Sequence, residues 1–169
     1  MRLTLCTGAL LCAATLSGQN PLTTETKVIH DGIKTNIIRA AEKMPEENYG
    51  FKATADVRSF GQLIGHVADA QYLFCAPVKD EKKGPPGIEK SKTAKADLVA
   101  ALKEAFEYCD AAYAAMDDEK IKGAVKFFGR ERPKISVLSF NSAHNNEHYG
   151  NIVTYMRLKG LVPPSSERR

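Results

Sequence analysis

Two histidines near the carboxyl end of the chain have a spacing that suits metal binding. His144 and His148 are four residues apart in the stretch NSAHNNEHYGNIVTY. On an α-helix this spacing places both side chains on one face, about 5–6 Å apart at Cβ. Because neutral imidazoles bind divalent transition metals, the pair is suited to hold one ion if a third ligand comes from another helix.

The residues around this pair indicate that it faces the interior of the protein. Apolar residues and the two histidines together form one stripe at helical spacing, which consists of Val137, Phe140, His144, His148, Ile152 and Tyr155. A buried polar group without a partner costs about 1–3 kcal/mol, so both rings need one. A shared metal ion would satisfy them. The alternative is two core or rim histidines that each hydrogen-bond a neighbour.

Two polar residues next to the pair are candidates for proton transfer or substrate binding. Glu147 adjoins His148 but lies about 100° round the helix from it, so a surface glutamate is the alternative to a general base. Asn151 follows His148 by three residues, which places it near the same face and within reach of a metal-bound water. Tyr155, two turns below the pair, is expected in the core.

The other two histidines lie in earlier amphipathic stretches. His66 follows Leu63 by three residues on the flank of an apolar stripe, so it is expected at the interior or its rim. Asp69 is about one turn further on and is either a carboxylate that orients an imidazole or a surface acid. His30 is surrounded by charged residues, which predicts a solvated or flanking histidine that does not bind metal.

Hydrophobic periodicity predicts an all-α protein with four long helices. Their expected bounds are Thr23 or Thr24 to Met44, Ser59 to Pro77, Thr93 to Met116 and Pro133 to Gly160. Ser59 and Gln62 form a capping box at the start of the second helix. The third helix repeats apolar residues in steps of four and three, as the packed seam of a bundle helix does. The inward stripe of the first helix is expected to include Ile29.

The segments between these helices differ in composition. Pro45 to Arg58 is a polar connection that Tyr49 and Phe51 are expected to pin to the bundle. The segment from Val78 to Ser91 is rich in Lys, Pro and Gly, which predicts an exposed loop. Asp117 to Pro133 contains apolar residues among charged ones, and we expect an extended stretch that packs over one end of the bundle.

Residues 1–19 have the pattern of a signal peptide. Arg2 provides a positive start, and Leu3 to Leu16 is an apolar run too short to span a membrane as a helix. We therefore expect a mature domain of residues 20–169 that is exported, periplasmic or secreted. An uncleaved anchor and a lipoprotein signal ending at Cys12 are the alternatives.

Two cysteines remain after the predicted signal peptide, Cys75 and Cys109. An even number of cysteines in an oxidising compartment favours a disulfide. The pair would meet if the second and third helices are antiparallel neighbours. The alternative is two buried thiols that act as small apolar side chains.

The composition excludes several classes of function. Formal net charge is +4, from 24 basic and 20 acidic residues, and the excess is small and scattered. It predicts no nucleic-acid partner and no stable membrane insertion of the mature chain. No ExxH pair supports a ferritin-like di-iron site, and no CxxCH motif supports a c-type haem. A homodimer is compatible with a bundle.

Several motifs together resemble a known family. GHVADAQ around His66, AHNNEHYGNIVTYMRLKGLVPPS around His144 and His148, and the order of the helices are similar to the DinB-like (YfiT-like) superfamily over nearly the whole mature chain. The resemblance implies an up-down-down-up four-helix bundle. It also implies a divalent metal, nickel or zinc, bound by His66, His144 and His148.

Three protein ligands would leave an open coordination position, which is typical of a reactive metal site. Relatives include thiol-dependent transferases and isomerases that use bacillithiol or mycothiol, and proteins described only as metal-dependent hydrolases. The resemblance thus implies a metal-dependent hydrolase or thiol-dependent transferase that acts on a small molecule, whose identity the sequence does not give. The alternatives are a non-catalytic bundle that binds metal or a ligand, and a structural bundle without metal.

Overall fold

Helices account for most of residues 20–167, the part of the chain that the computed structural model describes. The elements are α1, Pro21–Lys43; α2, Phe60–Val78; the one-turn α3, Ile88–Ser91; α4, Lys95–Ala114; strands β1, Ala124–Phe127, and β2, Arg130–Pro133; and α5, Lys134–Leu158. In this part of the chain no helix is long and apolar enough to cross a membrane. The predicted signal peptide, residues 1–19, lies outside the described residues, so its cleavage stays a prediction.

Side-chain contacts establish the direction of each long helix. Between α1 and α4 the contacts are His30 with Asp110 and Glu42 with Lys103. Between α2 and α4 they are Tyr72 with Tyr108 and Cys75 with Cys109, and between α2 and α5 they are His66 with His148 and Phe74 with Phe140. Residue numbers run in opposite senses in the first and third sets and in the same sense in the second. The arrangement is therefore up-down-down-up, which confirms the predicted fold class.

Local hydrogen bonds explain where two helices begin. Ser59 Oγ accepts from the backbone N–H of Gln62, and Gln62 Oε1 accepts from the backbone N–H of Ser59, which confirms the predicted capping box. α1 begins at Pro21 and not at either predicted threonine. The hydroxyl and the N–H of Thr23 both donate to Asp118 Oδ1 at 2.9 Å, so this side chain joins α1 to a later loop and does not cap the helix.

The predicted seam of α4 forms part of the core, while the predicted stripe of α1 is wrong at one position. The buried residues of the seam are Leu98, Leu102, Ala105, Cys109 and Ala112. Ile29, by contrast, is 54 % exposed, and the next residue, His30, is fully buried. The inward row of α1 continues from His30 through Ile33 and Ile37 at helical spacing, and Ile29 lies about 100° away from it.

The connection between α1 and α2 packs on the bundle as predicted. Tyr49 is buried, and its hydroxyl donates to the carbonyl oxygen of Ala41 at 2.7 Å. The ring of Phe51 lies edge-on to that of Tyr155, with centroids 5.8 Å apart. These two aromatic side chains fix the segment that leads into the amino end of α2.

The segment between α4 and α5 forms an antiparallel β-hairpin, so the expected extended stretch is confirmed and its pairing is now defined. The register runs from Ala124 opposite Pro133 to Phe127 opposite Arg130. Val125 is buried, which holds the hairpin against the bundle. The two-residue turn at its tip lies next to the amino-terminal part of α5.

Candidate metal centre

Three imidazole nitrogens converge between α2 and α5. His66 Nε2 lies 3.2 Å from His144 Nε2, and His148 Nε2 lies 3.0 Å from the same atom. The four-residue spacing on α5 puts His144 and His148 on one face, and the antiparallel α2 brings His66 opposite them. The structure therefore brings together all three residues that the family resemblance implied as ligands.

These distances fit a single metal ion. Two nitrogens bound at about 2.0–2.1 Å to one ion, with angles between octahedral and tetrahedral, lie about 2.9–3.4 Å from each other. The His66–His144 and His144–His148 separations between Nε2 atoms both fall in this range. Three lone pairs placed so close together repel one another unless a proton or a cation lies among them. The donor set therefore suits a divalent transition ion.

A carboxylate sets the tautomer of one ring. Glu89 Oε2 is 3.0 Å from His66 Nδ1. Because an ionised carboxylate only accepts hydrogen bonds, His66 Nδ1 carries the proton and donates it to Glu89. The lone pair of the neutral ring is then on Nε2, which faces the other two histidines. Arrangements of this kind orient metal ligands and raise their basicity.

Burial keeps the two histidines of α5 in the form that binds metal. Burial is the largest cause and Coulombic repulsion from Arg58 a smaller one, and the result is a pKa of about 4 for His144 and about 3 for His148. Both rings are therefore neutral at pH 7, as metal ligation requires.

Packing, and not hydrogen bonding, holds the outer sides of these two rings. The Nδ1 atoms of His144 and His148 are buried and have no hydrogen-bond partner among residues 20–167. The His144 ring lies edge-on to Phe74 with centroids 5.1 Å apart, and the His148 ring lies edge-on to His66 at 4.7 Å. Phe74 therefore forms an apolar wall of the site.

Asp69 was predicted either to orient an imidazole or to be a plain surface acid, and both predictions are wrong. Asp69 accepts the backbone N–H groups of Gly87, Ile88 and Glu89 at 2.9–3.0 Å, so it caps the amino end of α3. It thereby holds Glu89 beside His66. The segment from 78 to 91, predicted as an exposed loop, is exposed at residues 80–86, but its last part forms α3 on α2 and contributes a side chain to the site.

Two further residues complete this contact. Arg58 Nε donates to Glu89 Oε1 at 2.8 Å, so both oxygens of the carboxylate are engaged. A Cβ atom at Gly65 would lie 2.7 Å from Glu89 Cα, so only glycine allows α3 to approach α2 this closely. Sequence analysis missed Glu89 because it is 23 residues from His66, in a stretch of loop-like composition. The Gly87 that precedes Ile88 and Glu89 was the one local signal of a helix start there.

A cavity of about 670 Å³ opens beside His148. Both candidates from the sequence, Glu147 and Asn151, lie on its wall, as do Arg58 and Tyr155. Within residues 20–167 neither Glu147 nor Asn151 hydrogen-bonds a histidine. The cavity therefore offers a carboxylate and an amide to a bound molecule next to one candidate ligand.

The structure joins Cys75 to Cys109, with Cα atoms 5.3 Å apart. The expectation that this needs antiparallel helices is wrong, since α2 and α4 run parallel and bring the two positions level. Asn141 Nδ2 lies 3.3 Å from Cys109 Sγ and 3.2 Å from Gln71 Oε1. Gln71 in turn donates to Asn145, one residue after His144 on α5. A buried amide network thus connects the cysteine pair to the helix that carries two candidate ligands.

His30, predicted to be a solvated or flanking histidine, is fully buried. Its Nε2 is 2.9 Å from Asp110 Oδ1, and its ring stacks on Tyr113 with centroids 4.1 Å apart. With Asp31 this group has a metal-like set of atoms, but Lys34 Nζ lies 2.8 Å from Asp110 Oδ2 and already neutralises the carboxylate. We interpret the cluster as a structural link between α1 and α4.

Fold and site together define the class of protein: an all-α bundle whose second and last long helices supply three histidines to one point. The model of the DinB superfamily matches residues 33–152. The chain belongs to the DinB superfamily, as the sequence motifs predicted.

Similar proteins agree with this assignment. The chain is 25 % identical over 123 residues to the uncharacterized protein YjoA of Bacillus subtilis, covering 71 % of this chain and 79 % of that one. A DinB-like protein from Bacillus cereus has the same fold with a TM-score of 0.72 and 16 % identity, covering 84 % of this chain and 93 % of the other. A mycothiol-dependent maleylpyruvate isomerase is similar in fold over 77 % of this chain and 60 % of the isomerase, with a TM-score of 0.65 and 14 % identity.

Proposed function

We propose that this protein is a metal-dependent enzyme in which His66, His144 and His148 bind a divalent ion, nickel or zinc. The observation that carries the proposal is the convergence of three Nε2 atoms, in which that of His144 lies 3.2 Å from His66 and 3.0 Å from His148. The His148 side chain also lines a cavity large enough for a small-molecule substrate. The three neutral imidazoles would hold the ion and leave one coordination position open, and the ion would supply the Lewis acidity that lowers the pKa of a water or thiol there.

The residues of the cavity have complementary roles in this proposal. Glu147 accepts the proton that the nucleophile loses, and such proton transfer contributes about 10²–10⁴-fold to a rate. The Asn151 amide donates a hydrogen bond to the substrate. Glu89, held by Arg58, keeps His66 in the correct tautomer and orientation, and both side chains also line the cavity that the substrate would enter.

Hydrolysis is our leading reaction class, with thiol transfer as the second candidate. We propose that the mature protein is exported, and the Cys75–Cys109 pairing supports an oxidising compartment. Hydrolysis needs only water, which is available outside the cytoplasm. Thiol transfer needs a reduced low-molecular-weight thiol, and such thiols are kept reduced in the cytoplasm. The likeness in fold to a mycothiol-dependent isomerase is the observation that favours thiol transfer.

Metal content, measured by elemental mass spectrometry on the mature protein without an affinity tag, tests the first step. We expect about one divalent ion per chain, lost in His144→Ala and retained in His30→Gln, which removes the one histidine outside the cluster. Equal metal content in wild type and His144→Ala would overturn the site.

Activity is the second step of the test. The metal-loaded protein is assayed against ester and amide panels and against electrophiles with added thiols, alongside Glu147→Gln. Turnover that falls at least about a hundredfold in Glu147→Gln is expected. Stoichiometric metal with no turnover in either panel would instead indicate a non-catalytic metal-binding bundle.

A further inference from the structure

A second cavity, of about 370 Å³, lies between the β-hairpin and α5. Its lining combines aromatic rings with guanidinium groups and consists of Phe127, Phe128, Arg130, Arg132, Ser136 and Phe140. We call it the aromatic groove. It shares no lining residue with the cavity beside His148.

The strand register explains why arginines and aromatic rings meet here. Residues opposite each other in an antiparallel pair point to the same face, as do alternate residues of one strand. Phe127 is opposite Arg130, and Val125 is opposite Arg132, so these four side chains share one face. Val125 is buried against the bundle, which shows that this face is directed inward. Lys126 and its partner lie on the other face.

The aromatic rings form an apolar surface that is exposed to water. The Phe127 ring is 4.2 Å from Phe128 and 5.7 Å from Phe140, measured between centroids. Phe128 is 66 % exposed and Phe140 is 44 % exposed. Large exposed aromatic clusters of this kind mark binding sites more often than plain surface.

The hairpin tip holds one of these rings in an unusual backbone conformation. Phe128 has φ 45° and Gly129 has φ 77°, the positive values that a two-residue hairpin turn of this type needs. Asn or Asp is the usual residue at the first position, and a bulky aromatic residue is disfavoured there. The strain is tolerated in a place where the ring borders the groove, which supports a role for the ring in binding.

The two arginines of the groove form no ion pair with a carboxylate in the part of the chain that the structure describes. Among residues 20–167, Arg39 and Arg58 pair with glutamates, whereas neither Arg130 nor Arg132 forms an ion pair. A guanidinium group binds a carboxylate through two parallel hydrogen bonds, and flat apolar rings stack well on phenylalanine. The groove therefore has complementary chemistry for both ends of an aromatic acid.

We propose that the aromatic groove is a binding site for a small aromatic carboxylate. Its volume suits a molecule of one or two rings. The proposal goes beyond the metal-dependent function, because no group in the groove is a metal ligand. Phe74 separates the two sites: its ring centroid is 5.4 Å from Phe140 and 5.1 Å from His144. The arginines and the rings line a concave surface, which a flat bilayer does not enter.

Titration calorimetry with naphthalene-2-carboxylate, on the mature protein with excess chelator, tests this site independently of metal. We expect one binding site, with the neutral naphthalene-2-carboxamide at least tenfold weaker. The double variant that combines Arg130→Gln and Arg132→Gln should also bind the carboxylate at least tenfold more weakly. Lys126→Gln is the matched control, since it removes a positive charge from the opposite face of the same hairpin, and it should bind as wild type does.

Phe128→Gly gives a second variant that relieves the strained turn while it removes a ring. We expect it to stay folded and to bind the carboxylate at least fivefold more weakly. Equal affinity for acid and amide, or equal weakening by Lys126→Gln, would overturn the proposal. So would binding only to vesicles that contain anionic lipid, which would indicate a membrane surface, or a dimer that Phe128→Gly dissociates, which would indicate a second copy of the chain.

Discussion

Glu89 lies 23 residues after His66 in the chain, yet its Oε2 atom is 3.0 Å from His66 Nδ1. Asp69 holds the backbone of Glu89 through the cap of α3, and Arg58 holds its other carboxylate oxygen. Burial raises the pKa of Glu89, but the hydrogen bonds from Arg58 and His66 and the positive charge of Arg58 together outweigh it and lower the pKa. The carboxylate is therefore ionised and can orient His66 over the whole neutral pH range.

Removing this carboxylate should weaken metal binding without removing a ligand. We expect Glu89→Ala to bind zinc about 10–100-fold more weakly, with Glu89→Gln in between, because partners of metal-bound histidines have effects of this size. Competition with a chromophoric chelator measures the affinity. The visible spectrum of the cobalt-substituted protein should change as well, which a purely structural role would not cause.

The control for this experiment is Glu81→Gln. Glu81 also bonds a neighbouring side chain, the Tyr108 hydroxyl at 2.7 Å, but does not contact a histidine. It should leave both the affinity and the cobalt spectrum unchanged. Wild-type affinity in Glu89→Ala would show that Glu89 does not support the metal centre.

Gly65 should be indispensable to the same contact. A Cβ atom there would lie 2.7 Å from Glu89 Cα, so Gly65→Ala must push α3 away from α2. We expect a loss of about 1–3 kcal/mol in the free energy of unfolding and weaker metal binding together. Chemical denaturation and chelator competition measure the two effects.

Gly150→Ala is the matched substitution on an open helix surface. A Cβ atom at Gly150 would meet nothing within 4 Å, so alanine should raise stability by about 0.5–1 kcal/mol through its helix propensity. If Gly65→Ala were as well tolerated as Gly150→Ala, the close packing of α3 on α2 would be incorrect.

Local patterns predicted the parts of the molecule that local physics determines. The capping box of Ser59 and Gln62 needs contacts only three residues apart. Helical spacing alone predicted the buried His148 and the half-buried His144 on α5, but the same stripe was wrong at Phe140, which is 44 % exposed. The resemblance to the family then added His66. Each of these features depends on a period or motif that can be read within one helix.

The features that sequence analysis missed depend on contacts between distant segments. His30 has charged neighbours in the sequence, but Asp110, 80 residues away, gives its buried ring a partner. Gln71 and Asn141 likewise satisfy each other in the core from two different helices. A buried polar side chain is predictable only when its partner is known, and no single helix contains both members of these pairs.

His30 should make the protein less stable at low pH. Burial lowers its pKa below the ordinary 6.5, and the contacts with Asp110 offset only part of this effect. The unfolded state therefore takes up a proton below about pH 6.5 more readily than the folded state does, so this contribution to stability is present above that pH and is lost as the pH falls. The direction is opposite to that of a histidine stabilised mainly by an ion pair.

The measurement is the free energy of unfolding of wild type minus that of His30→Gln, between pH 8 and pH 5 and with excess chelator. The difference cancels the contribution of the other three histidines. We expect the advantage of wild type to shrink as the pH falls. An advantage that grows toward pH 5 would mean that the charged form of His30 is the one stabilised, with Asp110 as its counter-ion.

The disulfide should contribute substantially to stability, because Cys75 and Cys109 are 34 residues apart. Closing a loop of this length in the unfolded chain is worth about 3–4 kcal/mol in the chain-entropy account. Reductant should lower the melting temperature of wild type and leave that of the double variant, Cys75→Ala with Cys109→Ala, unchanged. Reduced wild type lacks the bond but keeps both sulfur atoms, so comparing it with the double variant separates these two losses. Thiol titration of the denatured, unreduced protein should find no free thiol in the mature chain, and two free thiols there would exclude the bond.

Since the amide of Asn141 lies 3.3 Å from Cys109 Sγ, reduction should also disturb the buried network that reaches α5, and weaker zinc binding in the reduced protein would measure that coupling.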